Sequence, residues 1–363
     1  MHVVHLTPNF YPAVGGIETY VLELCRRLVK KGHKVSVITS DTMVDGSKLK
    51  SFEAIGKINI YRVPFKLIMR YNFSPDAFDL LSKLDYDVLH VHSIGYYTDV
   101  IPSIKRIKGV KVIVSTHGGI FHTSHMSLLK KIYFKSFAKR ALKHADHVIA
   151  TSGKDMKLFS KICDGNKIRM IYPGVNWKLL SKSKQHRVKD TLLYVGRLSE
   201  NKRLDRMLNV IAHVKKRLPD IKLLIVGRDW GEKGGLVRLA DMLGIRKNLM
   251  FLNEVKNHYK YYSKANIFLL SSDYEGFGTS VVEAMASGMP VVVNNIETMH
   301  EIVDSGRSGF VVDFMEYESV ADLLIRLLKD ETARKDLGKN AGQAAKRFDW
   351  DRIESVIEKL YRS

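Results

Sequence analysis

Two carboxylates, Glu275 and Glu283, have seven residues between them, and the intervening loop carries Gly276, Phe277, Gly278 and Thr279. The apolar run Ile267-Phe268-Leu269-Leu270 before it reads as a buried parallel strand. Residues 281–286 read as the start of a helix stopped by Gly288 and Pro290, and residues 291–293 begin the next strand. In an open parallel sheet such a loop lies at the carboxyl ends of the strands, where ligands bind. Free amides at Gly276, Gly278 and Thr279 would face the positive end of the helix, which suits a diphosphate, and Gly278 lets a phosphate approach the backbone. A carboxylate beyond them suits sugar hydroxyls. Taken singly, Glu275 also reads as a helix-start acid and Glu283 as an exposed helix residue.

Three further groups have residue types that can act on an anion or a sugar. After a strand at 191–195, Gly196-Arg197 and Lys202 frame a loop that feeds a helix from about Leu204. The planar fork of Arg197 and the point charge of Lys202 can both address one phosphate group. After a buried strand at 110–116, His117-Gly118-Gly119 sits at a carboxyl end. A histidine there is either structural or placed for a ligand. After a first strand at 3–6, Gly15 and Gly16 enter a helix at 19–31 whose apolar face carries Val21, Leu24, Cys25 and Leu28. This pair is not a GxGxxG fingerprint, so it is a tight turn or a ligand loop.

The stretch Glu275-Gly276-Phe277-Gly278-Thr279-Ser280-Val281-Val282-Glu283, with Ala284-Met285-Ala286 and Gly288-Met289-Pro290-Val291-Val292, resembles the Glu-x7-Glu signature of retaining glycosyltransferases of family 4, the glycosyl transferases group 1. The resemblance covers nearly the whole chain, strongly over 191–312 and weakly over 40–85. It implies an α/β GT-B fold: two Rossmann-like domains facing across a cleft, with a C-terminal helix returning to the first. The expected division is an acceptor domain at 1–180, a polar linker at 181–190, a donor domain at 191–347 and the bracing helix at 348–363. The implied reaction moves a hexose from a UDP- or GDP-sugar to a hydroxyl of a glycan or lipid-linked acceptor, with retention and without a metal. By the same resemblance Arg197 and Lys202 form the diphosphate clamp, Glu283 holds the ribose and Glu275 orients the sugar. His117 would hydrogen-bond that sugar, and Gly15 and Gly16 would reach the diphosphate. The expected catalytic set is therefore Glu275, His117, Arg197 and Lys202. Donor binding adds Gly15, Gly16, Gly276, Phe277, Gly278, Thr279 and Glu283.

The chain departs from the family pattern in three places. Residues 171–176 lack an Asn-Gly pair, Arg228-Asp229-Trp230 interrupts a loop that is usually glycine-rich, and residues 294–300 replace a glycine-rich turn. The loop at 253–256 is where relatives contact the base. An Asp85-Tyr86-Asp87 triplet looks like the metal motif of a different glycosyltransferase fold, but it directly precedes a strand at 88–92 and reads as a turn. His90 and His92 share a face of that strand with no acid or cysteine nearby to complete a zinc set. No metal and no cofactor is therefore expected.

The 363 residues suffice for two domains, and no apolar run approaches the roughly 18–20 residues of a membrane span. Cys25 and Cys163 form no CxxC and fit a cytoplasmic protein with reduced thiols. The formal charge of +21 is uneven: residues 1–184 hold 30 Lys+Arg against 13 Asp+Glu, and residues 185–363 hold 29 against 25. Ten basic and no acidic residues lie between Asp99 and Asp146. The surplus suits an anionic membrane surface on the cytosolic face, nucleic acid, or only a solvated surface. A helix at 127–144 and a basic, aromatic stretch at 66–82 carry part of it, each readable as a membrane-facing or a packed segment. A nucleic-acid module would explain the charge but not the carboxylates and the clamp, so nucleic acid is not the expected partner. A non-hydrolysing sugar-nucleotide epimerase shares the architecture and remains the alternative within it.

Overall fold

A computed structural model describes all residues except 44, 69–70, 96–97, 119–132, 184–185 and 254–257. The chain divides into two compact units, Met1–Pro173 with Ile353–Ser363, and Gly174–Arg352.

In the first unit the strands are β1 (His2–Leu6), β2 (Lys34–Ser40), β3 (Phe52–Ile55), β4 (Ile58–Val63), β5 (Lys66–Ile68), β6 (Tyr71–Phe73), β7 (Val88–His92), β8 (Lys111–Ser115), β9 (His147–Ala150) and β10 (Ile168–Met170). Among the described residues, eight form a sheet in the order β10-β9-β8-β7-β1-β2-β4-β3, parallel throughout except for the β3–β4 hairpin. β1 and β7 are buried along their whole length, as strands covered on both faces must be. The helix Gly16–Lys30 packs Tyr20, Val21, Leu24, Cys25 and Leu28 inward.

The stretch at 66–82 is, over its described residues, two elements and not one packed segment. It is a two-stranded β5–β6 ribbon followed by the helix Pro75–Lys83, which Ser74 caps through Ala77 N and Pro75 opens. The helix expected over 127–144 is described only from Tyr133 onward, as a π-helical turn at Phe134–Ala138 running into Lys139–His144; its earlier residues lie outside the described ones. Asp87 accepts a hydrogen bond from the His2 amide at 2.7 Å, so the Asp85–Asp87 triplet ties down β1.

The second unit holds β11 (Thr191–Val195), β12 (Lys222–Val226), β13 (Leu249–Leu252), β14 (Ile267–Leu270), β15 (Val291–Asn294) and β16 (Gly309–Val312), in the parallel order β13-β12-β11-β14-β15-β16. Residues 186–190, expected as part of a linker, are fastened to this unit. His186 N and Val188 N donate to Ser263 O and Lys264 O, and the Arg187 guanidinium reaches the carbonyls of Ala265 and Gly288. Arginine carries five donors that a polar sequence pattern does not reveal as anchored.

The last helix, Trp350–Arg362, belongs to both units. Trp350 packs on Gly174 in the second unit, where a Cβ would run into its ring. From Ile353 the helix lies in the first unit, burying Ile353, Ile357 and Tyr361 at successive i, i+4 positions. Glu354 and Glu358 flank that stripe and pair with Lys31 at 2.9 and 2.7 Å.

In each sheet the strand order reverses once: between β1 and β7 in the first unit, and between β11 and β14 in the second. The carboxyl ends on either side of such a reversal open a crevice, because their connections leave in opposite directions.

Candidate functional site

The loops after β11 and β14 meet at the second unit's reversal. After β11 the backbone passes Gly196, whose carbonyl lies so close to Gly227 that a Cβ on Gly227, at φ 155°, would collide with it. Arg197 follows, exposed, its guanidinium 4.6 Å from the centroid of the Trp230 ring. This is a cation–π contact, and it gives the Arg228-Asp229-Trp230 departure a function the sequence did not disclose. Asp229 holds the loop by accepting from the amides of Gly231, Glu232 and Lys233 at 2.9–3.1 Å.

Lys202 ends a short 3₁₀ turn, Glu200–Lys202, and its ammonium contacts the Glu275 carboxylate at 2.7 Å, with side chains only 12% and 11% exposed. Ser272 donates to the same oxygen of Glu275 at 2.8 Å, and Thr298 donates to the Glu275 carbonyl at 3.0 Å. Ser271 ties β14 to the β11 loop through the carbonyls of Lys202 and Arg203. Arg203 and Arg206 in turn clasp Asp273. Two residues chosen separately from the sequence, Lys202 and Glu275, are therefore one ion pair within a cross-braced loop.

Gly278 caps the helix Thr279–Ala286 in the left-handed region at φ 94°, and a Cβ there would come within 2.8 Å of the Met299 methyl. The helix thus starts on bare backbone amides. Phe277 is buried against Phe348, with centroids 5.3 Å apart, and fixes the loop from below. Four residues into the helix, Glu283 is buried at 6% exposure. Its Oε2 takes both the Tyr262 hydroxyl at 2.8 Å and His258 Nε2 at 3.1 Å. Burial alone would lower the His258 pKa, but the Glu283 carboxylate on its ring outweighs that and raises it. Burial also pushes the Tyr262 phenol well up, reinforced by the Glu283 charge, so it stays a donor. Tyr262 and His258 escaped the sequence reading because they stand 21 and 25 residues before Glu283, on the preceding strand's approach. Of the loop expected at the base, residues 254–256 lie outside the described ones.

The first unit's reversal has a different character. Gly15 caps the helix beginning at Gly16, and a Cβ on Gly15 would run into the Glu18 carboxylate, whereas Gly16 has open space. His117, just past β8, is held at φ 47°, in the left-handed region that costs a non-glycine residue about 1–3 kcal/mol. Asp155 supports this strained turn. It is 2% exposed and accepts from Thr116 Oγ1, from Thr151 Oγ1 at 2.9 Å and from the Gly118 amide at 2.9 Å. Its signal in the sequence was weak, an acid three residues after the helix-capping Ser152. His117 Nε2 contacts His92 Nδ1 at 3.1 Å, and His92 Nε2 contacts His5 Nδ1 at 2.9 Å. Burial lowers the pKa of His5 and His117 to about 3, and burial with mutual repulsion takes His90 and His92 well below the ordinary value. His5 is the third imidazole beside His90 and His92, and it was overlooked because β1 reads as a plain core strand.

No helix among the described residues is long and apolar enough to cross a membrane. The two halves of the chain match two family models, the Glycosyltransferase Family 4 model over residues 14–178 and the Glycosyl transferases group 1 model over residues 176–344. The GDP-mannose:cellobiosyl-diphosphopolyprenol alpha-mannosyltransferase of Xanthomonas oryzae is 28% identical, across 97% of this chain and 94% of its own length. The phosphatidyl-myo-inositol mannosyltransferase of Mycobacterium leprae is 26% identical, across 100% of this chain and 97% of its own. Sucrose-phosphate synthase of Thermosynechococcus elongatus has a similar structure, with a TM-score of 0.78 at 21% identity over 100% of this chain and 98% of that one. Two parallel α/β units and two adjoining family models over residues 14–344 lead to one conclusion: the chain belongs to the family 4, group 1 glycosyltransferases, with the GT-B fold.

Proposed function

We propose that this glycosyltransferase moves mannose, with retention, from GDP-mannose to a hydroxyl of a lipid-linked acceptor at the cytosolic membrane face. The observation that carries the reading is the Lys202–Glu275 pair, braced between the two loops at the second unit's reversal and next to the helix that opens on Gly278. That arrangement offers a fixed cation and free amides to a diphosphate, and a carboxylate to the sugar on it. GDP-mannose and the polyprenol diphosphate come from the name of the Xanthomonas relative, and the mycobacterial relative adds a second lipid acceptor.

In this reading the leaving group is a nucleoside diphosphate, and the barrier falls as its developing charge is met. Arg197 offers a guanidinium fork, and Lys202 retains donors beyond the one engaged by Glu275. The amides at Gly276, Gly278 and Thr279 add the helix's positive end. Together these groups supply the charge that a divalent cation would otherwise bring, so we propose turnover without a metal. Glu283 already has both side-chain donors on Oε2, which leaves Oε1 for the ribose hydroxyls. Glu275 orients the sugar, and His117, Gly15 and Gly16 are further donor-site residues in this reading.

The basic surplus of residues 1–184 suits the anionic headgroups around such an acceptor. Flotation with vesicles of acidic phospholipid should show salt-sensitive association; binding that is absent at low salt would remove this part. The transfer itself is tested with radiolabelled GDP-mannose, UDP-glucose and a short polyprenyl-diphosphate sugar, in the presence of EDTA. The reading predicts label in the lipid phase from GDP-mannose, in the same anomeric configuration as the donor. Label that moves into a different nucleotide sugar would indicate an epimerase instead.

A further inference from the structure

Four imidazoles, three of them buried and His117 half-buried, fill the carboxyl ends of the first unit's central strands. β1 pairs with β7 so that His5 lies beside His90, and β7 pairs with β8 so that His92 lies beside Ser115. Nitrogens of His5, His90 and His92 come within 4.8 Å of one another, close enough to suggest a metal site. The contacts already present argue otherwise. His90 engages Tyr361 OH at 2.7 Å and Ser115 Oγ at 2.8 Å. His92 engages His5 at one nitrogen and His117 at the other. Of the six nitrogens on His5, His90 and His92, only His5 Nε2 is buried without a partner. A cation would have to displace several of these bonds.

The cluster is instead an ordered chain. The lowered pKa values keep every ring neutral near pH 7, so each has one N–H and one lone pair. Each contact along His5–His92–His117 needs one of each, and only two arrangements satisfy both. In one, His5 Nδ1–H donates to His92 Nε2 and His92 Nδ1–H donates to His117 Nε2. The remaining N–H then sits on His117 Nδ1, and the bare lone pair is on His5 Nε2. In the other, every donor reverses and a buried N–H is stranded on His5 Nε2. A stranded buried N–H is the rarer defect in folded proteins. His117 Nδ1 has no partner among the described residues, so it is the end that can meet a ligand.

We infer that His5 and His92 are positioning residues that hold His117 in its Nδ1–H form, so that it offers a neutral hydrogen-bond donor to an oxygen of the transferred sugar. The sugar as recipient rests on the function proposed above; the tautomer order does not.

Long-range ¹H–¹⁵N correlation on the full-length, histidine-labelled protein at pH 7.5 reads the order directly. The expected result is the Nδ1–H form at His5, His92 and His117, the opposite of the form imidazole favours in water. His117 in the Nε2–H form would overturn the inference. So would stoichiometric zinc on His5, His90 and His92, because coordination takes the lone pairs the chain uses. The second arm is His5→Asp, which can only accept at that position when ionised and so reverses both bonds. It should switch His117 to Nε2–H and lower kcat about tenfold, the worth of one hydrogen bond. GDP affinity, which depends on the second unit, should not change. His5→Asn still donates from the same place and should restore the Nδ1–H form and most of kcat. An unchanged His117 tautomer in a folded His5→Asp protein would also overturn the inference. If the wild type transfers no sugar while the three Nδ1–H signals are seen, the proposed function fails and the tautomer order stands.

Discussion

The two units share a parallel topology with one reversal each, yet they fill the reversal with opposite chemistry. The second unit places charges there: Arg197 on Trp230, Lys202 on Glu275, and His258 beside Glu283. The first unit places neutral, buried imidazoles there, wedged among Tyr20, Ser115 and Tyr361. Charges on short, cross-braced loops can meet a diphosphate whose charge grows as the bond breaks. Neutral donors suit hydroxyls, which need direction more than charge. The difference between the units lies in what surrounds the crevice, since the backbone that makes it is common to both.

The contrast predicts its largest effect in acid. The four clustered imidazoles His5, His90, His92 and His117 have folded pKa values below 6.5, about 3 for His5 and His117. In the unfolded chain they protonate near 6.5, so the stability they hold is present above that pH and lost as pH falls toward 3. Each site that titrates this way costs about 1.4 kcal/mol per pH unit. Hydrogen exchange between pH 6.5 and 4 should therefore show the strands β1, β7 and β8 losing protection before β11 and β14. Simultaneous loss in both sheets would mean that the imidazoles do not set the weak point.

Next in size is Lys202→Met, which removes the cation from the proposed clamp. It should lower kcat/KM about 10²-fold or more. It also strands the Glu275 carboxylate, whose side chain is only 11% exposed, so urea denaturation should show reduced stability. A variant with full activity would remove Lys202 from the clamp. Tyr262→Phe takes one of the two donors from Glu283, and isothermal titration should find GDP bound about tenfold more weakly. Unchanged GDP affinity would detach that network from the ribose.

A smaller effect, with the opposite pH sign to the first unit, attaches to His258. Glu283 raises its folded pKa, so the contribution is fully present below 6.5 and lost as pH rises through the folded value. The melting-temperature gap between wild type and His258→Gln should be widest below pH 6.5 and close as pH rises through the raised folded value. The smallest effect belongs to Trp230→Ala, which releases the Arg197 guanidinium and should weaken donor binding a few-fold in the same titration.

The second unit was the more legible in sequence because its signals are local. A strand of four apolar residues, a glycine loop and a helix follow one another within Ile267–Ala286, and the structure places them in that order. The first unit hid more, because its histidine chain is assembled across the sheet. His5, His92 and His117 meet only once β1 lies between β2 and β7, an order no local pattern encodes. Buried on an apolar strand, His5 offered neither an acid nor a cysteine as a cue. Asp155 and Tyr262 were missed for the same reason: each acts on a residue of a different element, Asp155 on the Thr116–Gly118 turn and Tyr262 on the helix residue Glu283. The segment at 181–190 reads as a linker because its composition is polar, while residues 186–190 are fastened through Arg187 reaching the carbonyls of Ala265 and Gly288.

The central claim is that the second unit's reversal binds the nucleoside diphosphate. The most direct test is thermal denaturation with a panel of nucleoside diphosphates, repeated on Arg197→Ala and Glu283→Gln. A rise in melting temperature with GDP, smaller or absent with UDP and ADP, and lost in both variants, is the predicted result. No shift with any nucleotide, or one that survives both substitutions, would contradict it.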